Sequence, residues 1–131
     1  MRMIVLGPEV PPPLAAALAD EGVETEQAPQ PEPQGESAVA ELTAALRATE
    51  RALDGSGAAC ALITGAGDAA LGAALTAVKL GIPSAWLAPA DAVESGELTG
   101  RVADLTVDAT ADPGAGARAI RELGVPTMRS P

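Results

Sequence analysis

The sequence predicts an α/β fold: a single doubly wound, mostly parallel five-stranded sheet with helices on both faces. Three observations predict it. Short apolar runs of strand length alternate with longer helical patterns along all 131 residues. Strand candidates such as AACALIT, and MRMIVLG past Arg2, are continuously apolar instead of alternating, which marks strands covered on both faces. Glycine or proline stands at nearly every junction between them. A βαβαβαβαβα order with right-handed crossovers leaves a sandwiched parallel sheet as the natural architecture, Rossmann-like or flavodoxin-like.

Each element has its own reason. MRMIVLG (1–7) reads as a first buried strand. PPPLAAALADEG follows, with proline at the helix start and Gly22 at its stop. VETEQA (23–28) alternates weakly and suits a more exposed strand. The 28–36 stretch APQPEPQGE holds three prolines in nine residues and reads as a Pro-rich loop. Ser37 to Leu53 forms a helix, with Val39, Leu42, Leu46 and Leu53 placed on its apolar stripe. AACALIT (58–64) is the most apolar strand and is expected at the centre of the sheet.

After GAGD, residues 69–80 form a helix with Lys79 as its only charge, buried on much of its circumference and closed by Gly81. IPSAWLA (82–88) is a fourth strand, ESGELTGRVA (94–103) a short helix and DLTVDAT (104–110) a fifth strand. Asp112-Pro113 is an N-cap with proline at the first helical position, opening a last helix to about Leu123. Residues 1–131 are therefore expected to make one domain, of a size that buries roughly 65–70% of its unfolded surface.

Composition narrows the chemistry. There is no His, so a Ser-His-Asp triad, a histidine metal ligand and an imidazole base are all excluded. One Cys excludes a thiolate zinc site and an internal disulfide, and Cys60 within AACALIT reads as a small buried hydrophobe. The chain has no Phe or Tyr and one Trp, so short aliphatic side chains must fill the core. A net charge of −10 repels nucleic acid and anionic membranes, and neither is expected as a partner. No uninterrupted apolar span and no basic-then-apolar leader are read, which gives a cytoplasmic protein as the expectation.

In such sheets ligands bind beyond the carboxyl ends of the strands, where strand order reverses. Those ends are Gly7-Pro8-Glu9, Pro29 onward, Gly65-Ala66-Gly67-Asp68, Ala88-Pro89-Ala90-Asp91 and Thr110-Ala111-Asp112. GAGDAA matches G-x-G-x-x-G/A between a strand and a helix, and Asp91 follows at about the spacing of a ribose-binding acid. Two readings stand side by side. Glycines let the backbone approach a diphosphate at the helix N-terminus; or the bend is a structural corner in which Asp68 caps the helix and would repel a phosphate. Gly72 within the helix points to a close helix–strand contact or to backbone approach by a ligand. Trp86 is either core or a stacking platform. Glu9, Asp68 and Asp112 are candidate paired carboxylates for acid–base work or a hard metal such as Mg²⁺, though sequence spacing places none of them together. No metal ligand set and no cofactor is assigned.

From Ala61 to Pro126 the chain resembles the N-terminal half of UDP-N-acetylglucosamine 2-epimerases of the glycosyltransferase-B superfamily. The residues that carry the likeness are LITGAGDAALGAALTAVKLGIPSAWLAPA (62–90) and GRVADLTVDATADPGAGARAIRELGVP (100–126), with GPE (7–9) similar to the end of the family's first strand. The resemblance implies a Rossmann-like fold and a rim shaped for a nucleotide or nucleotide sugar. It argues against epimerase chemistry. The family's turn Asp falls on Ala66 and its strand-end Glu on Ala88, and its catalytic His has no counterpart.

The leading expectation is a small noncatalytic protein binding a nucleotide, nucleotide sugar or related metabolite through Gly7, Pro8, Glu9, Gly65, Ala66, Gly67, Asp68 and Asp91. The alternatives are a protein-interaction or homodimerisation module, and a carboxylate-dependent sugar-phosphate isomerase or hydrolase.

Overall fold

A computed structural model describes residues 1–30, 37–89 and 97–124. Asp91, residues 31–36 of the Pro-rich loop, the start of the short helix before Glu97 and the tail after Gly124 lie outside the described residues. The elements follow in chain order as β1 (Arg2–Leu6), α1 (Pro12–Asp20), β2 (Glu24–Gln27), α2 (Ala38–Leu53) and β3 (Cys60–Thr64). After them come α3 (Asp68–Leu80), β4 (Ser84–Ala88), α4 (Glu97–Val102), β5 (Leu105–Asp108) and α5 (Pro113–Gly124).

The ends of these elements are set locally. Ser37 caps α2, its hydroxyl accepting from the Ala40 N–H at 3.1 Å. Gly22 and Gly81 take positive φ of 76° and 71° just past α1 and α3. At α3 the Gly81 N–H donates to Val78 and the Ile82 N–H to Ala77, the paired bonds of a Schellman stop. At α1 the Gly22 and Val23 amides donate to Ala19 and Leu18 in the same way. Asp112 caps α5, accepting from the Ala115 N–H at 3.2 Å.

The five strands form one wholly parallel sheet in the order β2-β1-β3-β4-β5. β3 is central and buried at every position, while β2 is an exposed edge. The chain runs outward from β1 to β2, then returns across β1 to β3 and continues to β5. Strand order therefore reverses between β1 and β3, and their carboxyl ends diverge there into loops leading to opposite faces.

Side chains alternate across the sheet to give two cores. Met3, Val5, Cys60, Leu62 and Leu87 face α1 and α5, meeting Leu14, Leu18 and Ile120. Ile4, Leu6, Ala61, Ile63 and Trp86 face α2, α3 and α4. Full burial of a side chain such as Leu62 is worth roughly 1.5–3 kcal/mol. With alanines at 70, 73, 74 and 77 against the sheet, α3 lies close to it.

Two details differ from the sequence expectation. Val39 is 72% exposed, because α2 turns its Ala45–Thr49–Leu53 side inward and leaves Val39 outside. Gly72 serves a helix–helix contact and not a helix–strand one. A Cβ there would stand 2.8 Å from the Ala45 Cβ and 3.1 Å from the Leu42 carbonyl oxygen, both on α2.

Cys60 is completely buried, and loss of hydration pushes its thiol up from 9.0 to about 11. Only the thiolate attacks disulfides, so native protein is expected to leave Ellman's reagent unreacted at pH 8 and to release one thiol per chain in guanidinium chloride. Because the folded thiol ionises later than the unfolded one, stability falls as pH rises from 9 toward 11. Rapid native-state labelling would show that this core opens. Among the described residues no helix is long and apolar enough to cross a membrane.

Candidate functional site

The reversal between β1 and β3 opens a cleft of about 260 Å³. One wall is the end of β1, Leu6-Gly7-Pro8; the floor is the end of β3, Thr64-Gly65-Ala66. α2 supplies Ala45, Ala48 and Thr49, and α3 supplies Ala69, Ala70 and Ala73. Burial runs from one end to the other: Leu6, Ala45, Thr49, Thr64, Ala70 and Ala73 are buried, whereas Pro8, Pro29, Gln30, Ala66 and Ala69 form an exposed mouth. The volume lies below the roughly 300–1,000 Å³ of sites that engulf a drug-sized ligand and gives room for one moiety of such a molecule.

Three hydrogen bonds fix its walls. Thr64 Oγ1 donates to the Pro8 carbonyl at 2.5 Å, tying the two strand ends together. Gln27 Nε2 donates to the Gly7 carbonyl at 2.6 Å, tying β2 to the same turn. Trp86 Nε1 donates to the Gly65 carbonyl at 2.8 Å from β4. The ring of Trp86 is 4% exposed, so it is core with a polar handle on the glycine turn and not a stacking platform.

The glycine turn has left-handed backbone at Gly65 and Gly67, with φ of 81° and 83°. Gly67 is the N-cap of α3, and no side chain caps the helix. Asp68 is the first helical residue, contrary to the capping role expected of it; its carboxylate sits in the first turn without binding the free amides. The first backbone bond of this end runs from the Leu71 N–H to the Gly67 carbonyl, which leaves the amides of 68–70 without helical partners. Uncapped amides and the helix dipole favour an anion there, by about 0.3–1 kcal/mol at an exposed terminus. Among the described residues, no lysine, arginine or carboxylate lines the cleft.

The structure thus places Gly7, Pro8, Gly65 and Ala66 on the cleft. Glu9, Gly67 and Asp68 flank it without lining it, and Asp91 lies outside the described residues. Glu9, Asp68 and Asp112 are not gathered: among the described residues no three His, Cys, Asp or Glu side chains are grouped to hold a metal ion. Asp112 lies on the other side, beside a smaller hollow of about 100 Å³ between α1, β4, β5 and α5. There Asp108 accepts from the Thr110 amide at 2.8 Å and its hydroxyl at 2.7 Å, which lowers its pKa.

The α2 wall went unread in the sequence. Its signal is a pair of small-residue faces on consecutive helices, Ala45-Ala48-Thr49 and Ala69-Ala70-Ala73, which leave room where leucines would have closed the gap.

No protein-family profile matches the sequence, and no curated protein matches it. Solved structures do. The UDP-GlcNAc 2-epimerase from Neisseria meningitidis bound to UDP-GlcNAc aligns with TM-score 0.63 at 12% identity, over 92% of this chain and 43% of that one. The Methanocaldococcus jannaschii UDP-GlcNAc 2-epimerase in complex with UDP-GlcNAc and UDP aligns with TM-score 0.64 at 17% identity, over 93% and 43%. The S. aureus MnaA–UDP structure aligns with TM-score 0.63 at 13% identity, over 91% and 40%. The chain spans about two fifths of the length of these proteins. It has a Rossmann-like fold shared with part of the UDP-GlcNAc 2-epimerases.

Proposed function

We propose that the chain binds a nucleotide sugar or related nucleotide metabolite at the β1/β3 cleft without transforming it. The observation that carries this reading is the uncapped start of α3 behind a two-glycine turn, at the one place where strand order reverses. Structures of the same fold that hold UDP-GlcNAc or UDP support the ligand class. The noncatalytic part rests on this chain's side chains: it has no His, its thiol is buried and raised to about 11, and among the described residues no carboxylate lines the cleft.

Thermal melts with UDP-GlcNAc, UDP and N-acetylglucosamine test it. A ligand at 100 times its Kd stabilises by about 2.7 kcal/mol, which for a chain of this size raises the Tm by roughly 10 °C. An unchanged Tm with every nucleotide and sugar phosphate at millimolar concentration would remove the reading.

A homodimer through α3 and α4 is the second reading. Leu75, Val78 and Leu98 are exposed there, on helices that pack side by side. Light scattering that gives a monomer mass at high concentration excludes it.

A further inference from the structure

We infer that Thr49 is a specificity-determining contact of the cleft, holding an uncharged hydroxyl or amide group of the ligand; this rests on the nucleotide-sugar reading above. Threonine inside a helix ordinarily returns its hydroxyl to the carbonyl four residues back. The other threonines of α2 and α3 do so: Thr43 donates to Val39 at 2.8 Å and Thr76 to Gly72 at 2.9 Å. Thr49, on the same helix as Thr43, makes no side-chain hydrogen bond among the described residues.

Its position makes that omission costly. Thr49 is 4% exposed and belongs to the buried part of the cleft, among Ala45, Ala70 and Ala73. Among the described residues, the hydroxyls sealed from solvent without a partner are those of Ser84 and Thr99. Thr49 is not one of them, and it lines the cleft. A buried hydroxyl left without a partner opposes folding. One held open toward a cleft is satisfied when a ligand enters.

The chemistry of the partner follows from the surroundings. Among the described residues no cationic side chain accompanies Thr49 in the cleft, and the buried lining around it, Leu6, Ala45, Ala70 and Ala73, is apolar apart from Thr64. A phosphate buried among alanines would keep its full desolvation cost, whereas at the exposed mouth it can meet the α3 amides while staying partly hydrated. The buried part therefore takes a neutral group, which both donates and accepts opposite a hydroxyl. A site with such a buried polar group discriminates against analogues that leave it unpaired.

The test uses the whole chain with Thr49→Val and Thr49→Ser, measuring Tm without ligand and affinity for UDP-GlcNAc, UDP and N-acetylglucosamine. Valine has nearly the helix propensity of threonine, so the exchange isolates the hydroxyl. Thr49→Val is expected to melt about 3 °C higher without ligand and to bind UDP-GlcNAc about tenfold more weakly. Thr49→Ser is expected to restore affinity. A loss confined to the sugar-bearing probes assigns the group to the hexosamine, and a loss that includes UDP assigns it to the nucleoside.

Gain of stability with loss of binding is the signature, since a purely structural threonine would lose both. Wild-type affinity in Thr49→Val, with the wild type binding, overturns this inference alone. So does a lowered Tm that serine fails to rescue. A wild type that binds no probe overturns the proposed function and this inference together.

Discussion

Gly7→Ala is expected to destabilise the protein by about 2–6 kcal/mol and to abolish the ligand binding proposed for the cleft. Two costs combine. At φ of 117° the backbone of Gly7 lies where a side chain is strained, at roughly 1–3 kcal/mol. The added methyl would also stand 2.5 Å from the Thr64 carbonyl oxygen and 2.6 Å from its hydroxyl. That carbonyl belongs to the central strand, which cannot swing aside as a flexible side chain would. Overpacking of this kind adds typically 1–3 kcal/mol.

The lesion is also at the site. Parting the ends of β1 and β3 removes the Thr64–Pro8 bond and shifts the Gly7 carbonyl that Gln27 and Gln30 hold at 2.6 and 3.3 Å. Thermal melts of wild type and variant, with ligand titrations of each under folding conditions, check both parts. A Tm within about 2 °C of wild type, with binding intact, would show that the two strand ends are not locked together.

Much of this arrangement was legible in the sequence because it depends on local signals. The strand β3 shows as CALIT with no polar interruption, and its central place follows from burial on both faces. Pro12, Ser37 and Gly81 mark helix ends by backbone conformation and hydrogen-bonding capacity, which a single residue decides. The rim itself follows from handedness once the strands are parallel. What remained unread depends on pairs far apart in the chain. That the turn at Gly65 is held by Trp86, 21 residues on, is a matter of register between β3 and β4.

The same holds for α3's start. A sequence with Asp at the head of a helix reads as a cap, but the cap position fell one residue earlier, on Gly67. A shift of one residue is enough to move a carboxylate off the free amides. Gly72 shows the other limit. Its cost within a helix was visible, but whether a strand or a helix pressed against it depended on α2 packing beside α3 on the same face. Strand order and helix spacing are tertiary quantities, and the cleft lies where they meet.

Trp86 gives the second large effect, and two substitutions separate its roles. Trp86→Ala removes the only aromatic ring in the chain from a site that is 4% exposed. A cavity of that size costs about 3–5 kcal/mol, against a net stability of about 5–15 kcal/mol for a domain. Collapse into the space is limited, because Gly100 on α4 already lies against the ring: a Cβ there would be 3.3 Å from Cζ3. Trp86→Phe keeps most of the packing but removes the Nε1–H that meets the Gly65 carbonyl at 2.8 Å. It is expected to lose about 1 kcal/mol, the low end of the cost of leaving an acceptor unpaired, because the Gly65 carbonyl is only part-buried. It is also expected to weaken the proposed ligand binding, since that bond ties the glycine turn lining the cleft to β4. The comparison that decides is between Trp86→Phe and a core variant of equal stability far from the cleft, such as Ile120→Val on α5. If both bind the nucleotide sugar equally well, Trp86 only fills space; if the phenylalanine variant binds less tightly at matched stability, the indole positions the turn.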